Sequence, residues 1–182
     1  MAPMTRRHRP FLRDYAERAL PVVQAIRDHH AALHDARTRA ERDAELAALG
    51  ALADAYRLLG RLDEAVRHGE EAVDLARALD RPKSLVSNLI RLATALQYRQ
   101  AHADAEPLFA EARQLARQLG LLEDFALQHH GKSLAEQGRW DEAIAALEQA
   151  LTLREARGDA ALIASSREAL TEARARAGPT AP

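Results

Sequence analysis

Apolar residues recur along this chain at the three- and four-residue spacing of a helix face, and the pattern itself recurs. From Leu49 to Val73 the sequence reads LGALADAYRLLGRLDEAVRHGEEAV, two amphipathic helices around a tight Gly60-Arg61 turn. The arrangement returns forty residues later and again after thirty-eight more. Gly60, Ala65 and Ala72 are matched by Gln100, Ala105 and Ala112, then by Gly138, Ala143 and Ala150. Leu52 and Ala53 are matched by Leu92 and Ala93, then by His130 and Gly131. A helical pattern repeating at this period predicts a stack of helix pairs, each burying the face of the next.

Taken in order, residues 1–9 read as a flexible arm whose Arg and His residues could touch an acidic partner. Residues 10–39 read as a degenerate first repeat, with a short helix opened by Pro10 and a second opened by Pro21. Hairpins follow over 41–79, 81–119 and 121–157. Asp63, Asp104 and Asp141 are the expected helix caps, and Pro82 an expected first helical residue. Pro107 is tolerated only if it falls among the early amides that need no partner. Phe109 is expected to fill the space between layers, and Trp140 to pack at a corner. Residues 159–177 form one last amphipathic helix that caps the open end, and 178–182 are a flexible tail. The expected fold class is all-α.

Composition narrows the function. Apolar residues make up 47% of the 182 and charged residues 29%, while aromatics are only 4%. Lys and Arg number 26 against 27 Asp and Glu, a formal charge of −1, which disfavours a nucleic-acid partner. There is no Cys, which removes disulfides and thiolate chemistry and agrees with a reducing, cytoplasmic compartment. No apolar run is long enough to span a membrane, so no membrane partner is expected.

The motifs LADAYRLLGRLDEAVRHGEEAV, LATALQYRQAHADAEPLFAEA and HGKSLAEQGRWDEAIAALEQA resemble the tetratricopeptide repeat family. The third is the closest, with Gly131, Gly138, Trp140, Ala143, Leu147 and Ala150 in place. The forty-residue spacing and the phrase AEPLF, from Ala105 to Phe109, resemble the longer-period subclass of kinesin light chains and many bacterial regulators. The resemblance implies a right-handed superhelical solenoid of antiparallel helix pairs with a concave groove lined by the first helix of each pair. It also implies a non-enzymatic scaffold or adaptor that binds a peptide or partner protein. The implied groove positions are Asp54, Arg57 and Leu58 in the first hairpin. In the second they are Ile90, Arg91, Thr94, Gln97 and Tyr98, and in the third Phe125, Gln128, His129, Lys132 and Glu136. Tyr98 and Phe125 would be aromatic anchors, and Arg57, Arg91 and Lys132 would meet acidic groups on the guest. Two groove chemistries of the family lack their residues here. Asp54 stands where the clamp for a chaperone's acidic C-terminus needs Asn, and Ile90 and Arg91 stand where cargo binders carry paired Asn.

Two other classes have a motive in the sequence. Phe11, Leu12 and Tyr15 in the irregular first repeat could dock on a second copy, giving a homodimer. His30 and His34, four residues apart, could share an ion, but structural zinc takes four ligands and no HExxH motif is present. No nucleophile elbow, phosphate loop or dinucleotide fingerprint appears, so no catalytic residue and no cofactor is expected.

Overall fold

The computed structural model describes residues 10–178. The expected arm over residues 1–9, and the expected tail beyond Gly178, lie outside that range. Eight helices run through the described residues: α1 (Ala19–Thr38), α2 (Arg42–Leu58), α3 (Leu62–Ala78), α4 (Pro82–Tyr98), α5 (His102–Leu119), α6 (Glu123–Glu136), α7 (Trp140–Arg157) and α8 (Ala160–Ala177). No strand occurs among them. The helices form antiparallel neighbours and fall into two compact units. The first holds Asp14–Leu115; the second holds residues 10–13 together with everything from Ala116 onward.

One backbone device makes the helices antiparallel. After each of the first seven helices a single residue takes the left-handed conformation: Ala40, Gly60, Asp80, Gln100, Gly120, Gly138 and Gly158, with φ between 51° and 78°. At six of these turns the next amide reaches back to a carbonyl five residues earlier. The bonds Glu41 N–H to Ala36 O and Arg61 N–H to Tyr56 O, both 2.9 Å, are examples. This satisfies carbonyls that the helix end would otherwise leave bare and reverses the chain within three residues. The same turn therefore serves within each hairpin and between hairpins.

In the first unit α2 packs on α1, α3 and α4, and α3 packs on α4. Leu49 and Leu52 of α2, Ala65, Ala72 and Ala76 of α3, and Val86, Leu89 and Ala93 of α4 are fully buried. Each large member contributes about 1.5–3 kcal/mol by leaving water. The axes come close because small residues stand at the crossings. A Cβ built on Gly69 would lie 3.3 Å from Leu92 Cβ and 3.4 Å from its Cα. In the second unit α7 packs on α6 and α8 around Leu127, Leu134, Leu147, Ala150 and Ala169. There a Cβ on Gly131 would lie 2.9 Å from Leu147 Cγ. Exposed Arg–Glu pairs follow the forty-residue period: Arg37 with Glu71 at 2.8 Å, and Arg77 with Glu111 at 2.7 Å. Such solvated pairs are worth about 0–1 kcal/mol each, so they trim register rather than hold the stack.

Several expectations need correction. Among the described residues no helix precedes Ala19; residues 10–18 are irregular, and the pair expected over 10–39 has α1 alone. The amides there are spent elsewhere: Phe11 N–H on Glu136 at 3.0 Å, Asp14 N–H on the Tyr98 hydroxyl at 2.6 Å, and Ala16 N–H on Leu58 O at 3.0 Å. Asp63 and Asp141 are not caps. The cap positions are Arg61 and Arg139, without side-chain cap bonds, and both aspartates fall in the first turn. There their charge still suits the positive end of the helix. Asp104 likewise lies inside the first turn of α5. The aspartate that does cap is Asp159, which accepts from the amides of Ala161 at 3.1 Å and Leu162 at 3.0 Å. Pro107 is the sixth residue of α5, past the four unpartnered amides, so its ring removes a bond within the helix.

Two outcomes test this account. Ala40→Gly and Gln100→Gly should each raise stability by about 0.5–1 kcal/mol. Relief of the left-handed backbone, about 1–2 kcal/mol, exceeds the extra unfolded-state entropy of about 0.4–1 kcal/mol. A urea midpoint that stays put or falls would contradict the turn geometry. Ala93→Leu, at a position with no exposed surface, should cost about 1–3 kcal/mol by overpacking. Thermal unfolding within about 1 °C of the parent would show that α4 has room there.

Candidate functional site

A cleft lies on the first unit. It has a volume of about 850 Å³ and runs between α1, α2 and α4. Its size falls in the range of sites that take small molecules or a few peptide side chains. Pro21, Val22 and Ala25 of α1 form one wall. Leu46, Ala47, Ala51, Ala55 and Leu58 of α2 make an apolar floor. Lys83, Ser84, Ser87, Asn88 and Arg91 of α4 form the polar wall, with His29, Asp43 and Asp54 completing the rim. The wall is set by helix spacing, because positions 84, 87, 88 and 91 share one face of α4.

Arg91 is fixed from two sides. Its Nε donates to Asp54 Oδ2 at 2.7 Å and one terminal nitrogen donates to Asn88 Oδ1 at 3.1 Å. Gly50 makes room for this pair on α2, since a Cβ there would lie 2.7 Å from Asn88 Oδ1 and 3.2 Å from the Arg91 guanidinium. Arg91 and Asp54 are each about one-third exposed, so the pair is reachable from the cleft.

Of the expected groove positions, only Asp54, Leu58 and Arg91 line this cleft. Ile90, Thr94 and Gln97 are buried in the packing of α4, and the Thr94 hydroxyl donates to Ile90 O at 2.7 Å. Arg57 is buried with its guanidinium 5.2 Å from the centre of the Tyr98 ring and 3.7 Å from Asp54. Tyr98 is 5% exposed and is covered by residues Asp14 and Tyr15 of its own chain, the Tyr15 ring lying 5.6 Å away. Burial is the main force pushing the Tyr98 phenol above its ordinary value, against the pull of Arg57.

The remaining five lie in the second unit. Gln128 accepts from the Ser166 hydroxyl of α8 at 2.9 Å, and Phe125 lies under the Arg154 guanidinium at 5.2 Å. Arg154 also donates to the fully buried Asp124 at 3.1 Å and to Ser166 at 2.8 Å. These two positions are thus part of how α6 meets α7 and α8. His129 is half-buried on the same helix. Glu136 and Lys132 hold residues 11–13. Glu136 takes a bidentate contact from Arg13, both bonds 2.7 Å, and Lys132 donates to Leu12 O at 3.2 Å. Phe11 is 1% exposed, packed edge-on against Trp140 at 6.2 Å, so it is not available to dock on a second copy. Tyr15 remains 51% exposed.

The α1 wall and the start of α4 were not among the expected groove positions. Positions 83, 84, 87 and 88 continue the face of Arg91 toward the N-terminus, a spacing visible in the sequence. The contribution of α1 was hidden by the irregular segment before it. Among the described residues no group of three His, Asp or Glu stands close enough to hold a metal ion. His30 Nε2 shares a hydrogen bond with the Tyr56 hydroxyl at 2.8 Å. No described helix is long and apolar enough to cross a membrane.

Comparison with known families agrees with this architecture. Tetratricopeptide repeat models match residues 46–79, which cover most of α2 and all of α3, and residues 84–156, from the first turn of α4 into the last turn of α7. No curated protein matches the chain significantly.

On α3, His68 stacks on Tyr56 with ring centres 5.5 Å apart, and its surroundings favour the neutral imidazole. Burial is the larger cause and the Arg67 guanidinium, 3.2 Å from Nε2, the next; together they lower its pKa from 6.5 to about 4. Between those values the unfolded chain binds a proton that the folded chain refuses. The stability present above pH 6.5 is therefore lost progressively as pH falls toward 4, by on the order of 3 kcal/mol if the whole shift is realised. Urea midpoints measured across this window should fall, and His68→Leu should flatten the slope. An unchanged slope in the variant would show that His68 does not titrate as its surroundings require.

Proposed function

We propose, from the tetratricopeptide repeats that the chain carries, that it is a non-enzymatic interaction module that takes a peptide or the edge of a partner protein in the cleft between α1, α2 and α4. The observation that carries this reading is the cleft itself: an apolar floor of α2 beside a polar wall in which Arg91 is already oriented by Asp54 and Asn88. A preset guanidinium loses little freedom when it meets a guest, which favours binding over an unanchored side chain. Lys83 and Arg91 on one wall favour a guest with acidic groups flanking one or two apolar side chains. Arg57, buried under Tyr98, is a support for this wall rather than a contact. The forty-residue spacing of the first two motifs supports the longer-period subclass of the repeat.

Selection from a displayed peptide library tests the reading. Enriched peptides should be acidic and apolar. They should bind the parent chain at least about tenfold more tightly than Ala51→Arg, which fills the floor, or Arg91→Ala, which removes the anchor; each tenfold corresponds to about 1.4 kcal/mol. Peptides that bind all three chains equally would remove the cleft from the function.

A further inference from the structure

The second unit carries a peptide already. Phe11, Leu12 and Arg13 belong to no helix or strand and the chain bends at Leu12, yet they are held as a bound peptide would be. The Phe11 ring is enclosed between Trp140 and the Arg176 guanidinium, 5.3 Å from its centre, and joins the apolar cluster of α6, α7 and α8. Two residues on, the Arg13 guanidinium meets Glu136 in a planar, two-bond contact with both side chains more than nine-tenths buried. The main chain between them is read as well. Phe11 N–H donates to Glu136 at 3.0 Å and Lys132 donates to Leu12 O at 3.2 Å. Leu12 sits at φ 46°, a region its Cβ disfavours, so the surroundings and not local preference fix this conformation.

We infer that this face of α6, Trp140 and α8 is a recognition site for a short bent peptide with an aromatic residue and, two positions later, an arginine, and that Phe11-Leu12-Arg13 is its resident ligand in cis. The ring slot and the carboxylate fork select the two side chains, and the left-handed turn between them favours residues without a branched Cβ. Tethering gives the resident segment an effective concentration on the order of 1 mM, so a partner segment of the same chemistry displaces it only when it binds more tightly or is locally abundant. This site is separate from the cleft of the first unit and does not depend on that reading.

The chain has one tryptophan, Trp140, and it touches the occupant. In the full chain carrying Phe11→Ala and Arg13→Ala, the capped pentapeptide PFLRD should change Trp140 emission saturably. It should bind at least about tenfold more tightly than to the parent chain, where the resident segment competes. Peptides with Phe→Ala or Arg→Glu should lose at least about tenfold, as should addition of Glu136→Gln to the protein, whereas Ala51→Arg should change nothing. A folded double variant that shows no saturation, or that binds the altered peptides equally well, overturns the inference. Hydrogen exchange on the unaltered chain decides the same point should the double variant not fold. The Phe11 amide should exchange at least about a hundredfold faster than the best-protected amides of α6 and α7, by local release. Equal rates would make the segment a permanent part of the core and overturn the inference.

Discussion

The structure depends on a reversal of the backbone that recurs about every twenty residues. A residue in the left-handed conformation ends each of the first seven helices, and at six turns an amide bonds five residues back. Because the turn is so short, successive helices run side by side within α1 to α4 of one unit and within α6 to α8 of the other. The apolar stripes of neighbouring helices then meet, which is where helices of this length gain most of their stability in water. Glycine provides the conformation at Gly60, Gly120, Gly138 and Gly158; elsewhere Ala40, Asp80 and Gln100 accept it at some cost, outweighed by the packing that the reversal permits.

That packing also determines which polar groups are left for function. The small residues at the crossings, Gly69 and Gly131 among them, bring the axes close enough that side chains flanking the stripe are drawn inward. Ile90, Thr94 and Gln97 lie beside the stripe of α4 and end up buried, whereas Arg91, rotated toward the α2 side, stays at the edge of the cleft. Gly50 then gives Arg91 and Asn88 their place against α2. A change of one residue in helical position moves a side chain by about 100°, so adjacent residues have opposite fates.

The segment before α1 is where local and tertiary preferences part. Its amides bond to Glu136, to the Tyr98 hydroxyl and to Leu58 O, and its aromatic side chain leaves water beside Trp140. A helix of so few residues would gain little by itself, while burial of one Phe and a bidentate ion pair gains more. The same contacts take Glu136, Lys132 and Tyr98 out of any surface open to a guest as long as the segment stays in place.

The sequence by itself determined the all-α class, the repeating helix pairs and the small residues at their crossings. These follow from periodicity, and periodicity is local. Tertiary structure alone decided that residues 10–18 form no helix, that α1 supplies a wall, that Gln128 belongs to the contact with α8, and that Asp159 rather than Asp63 or Asp141 caps its helix. Each of these is an outcome of competition between groups far apart in the chain for the same hydrogen bond or buried volume, and no spacing within a single helix records the winner.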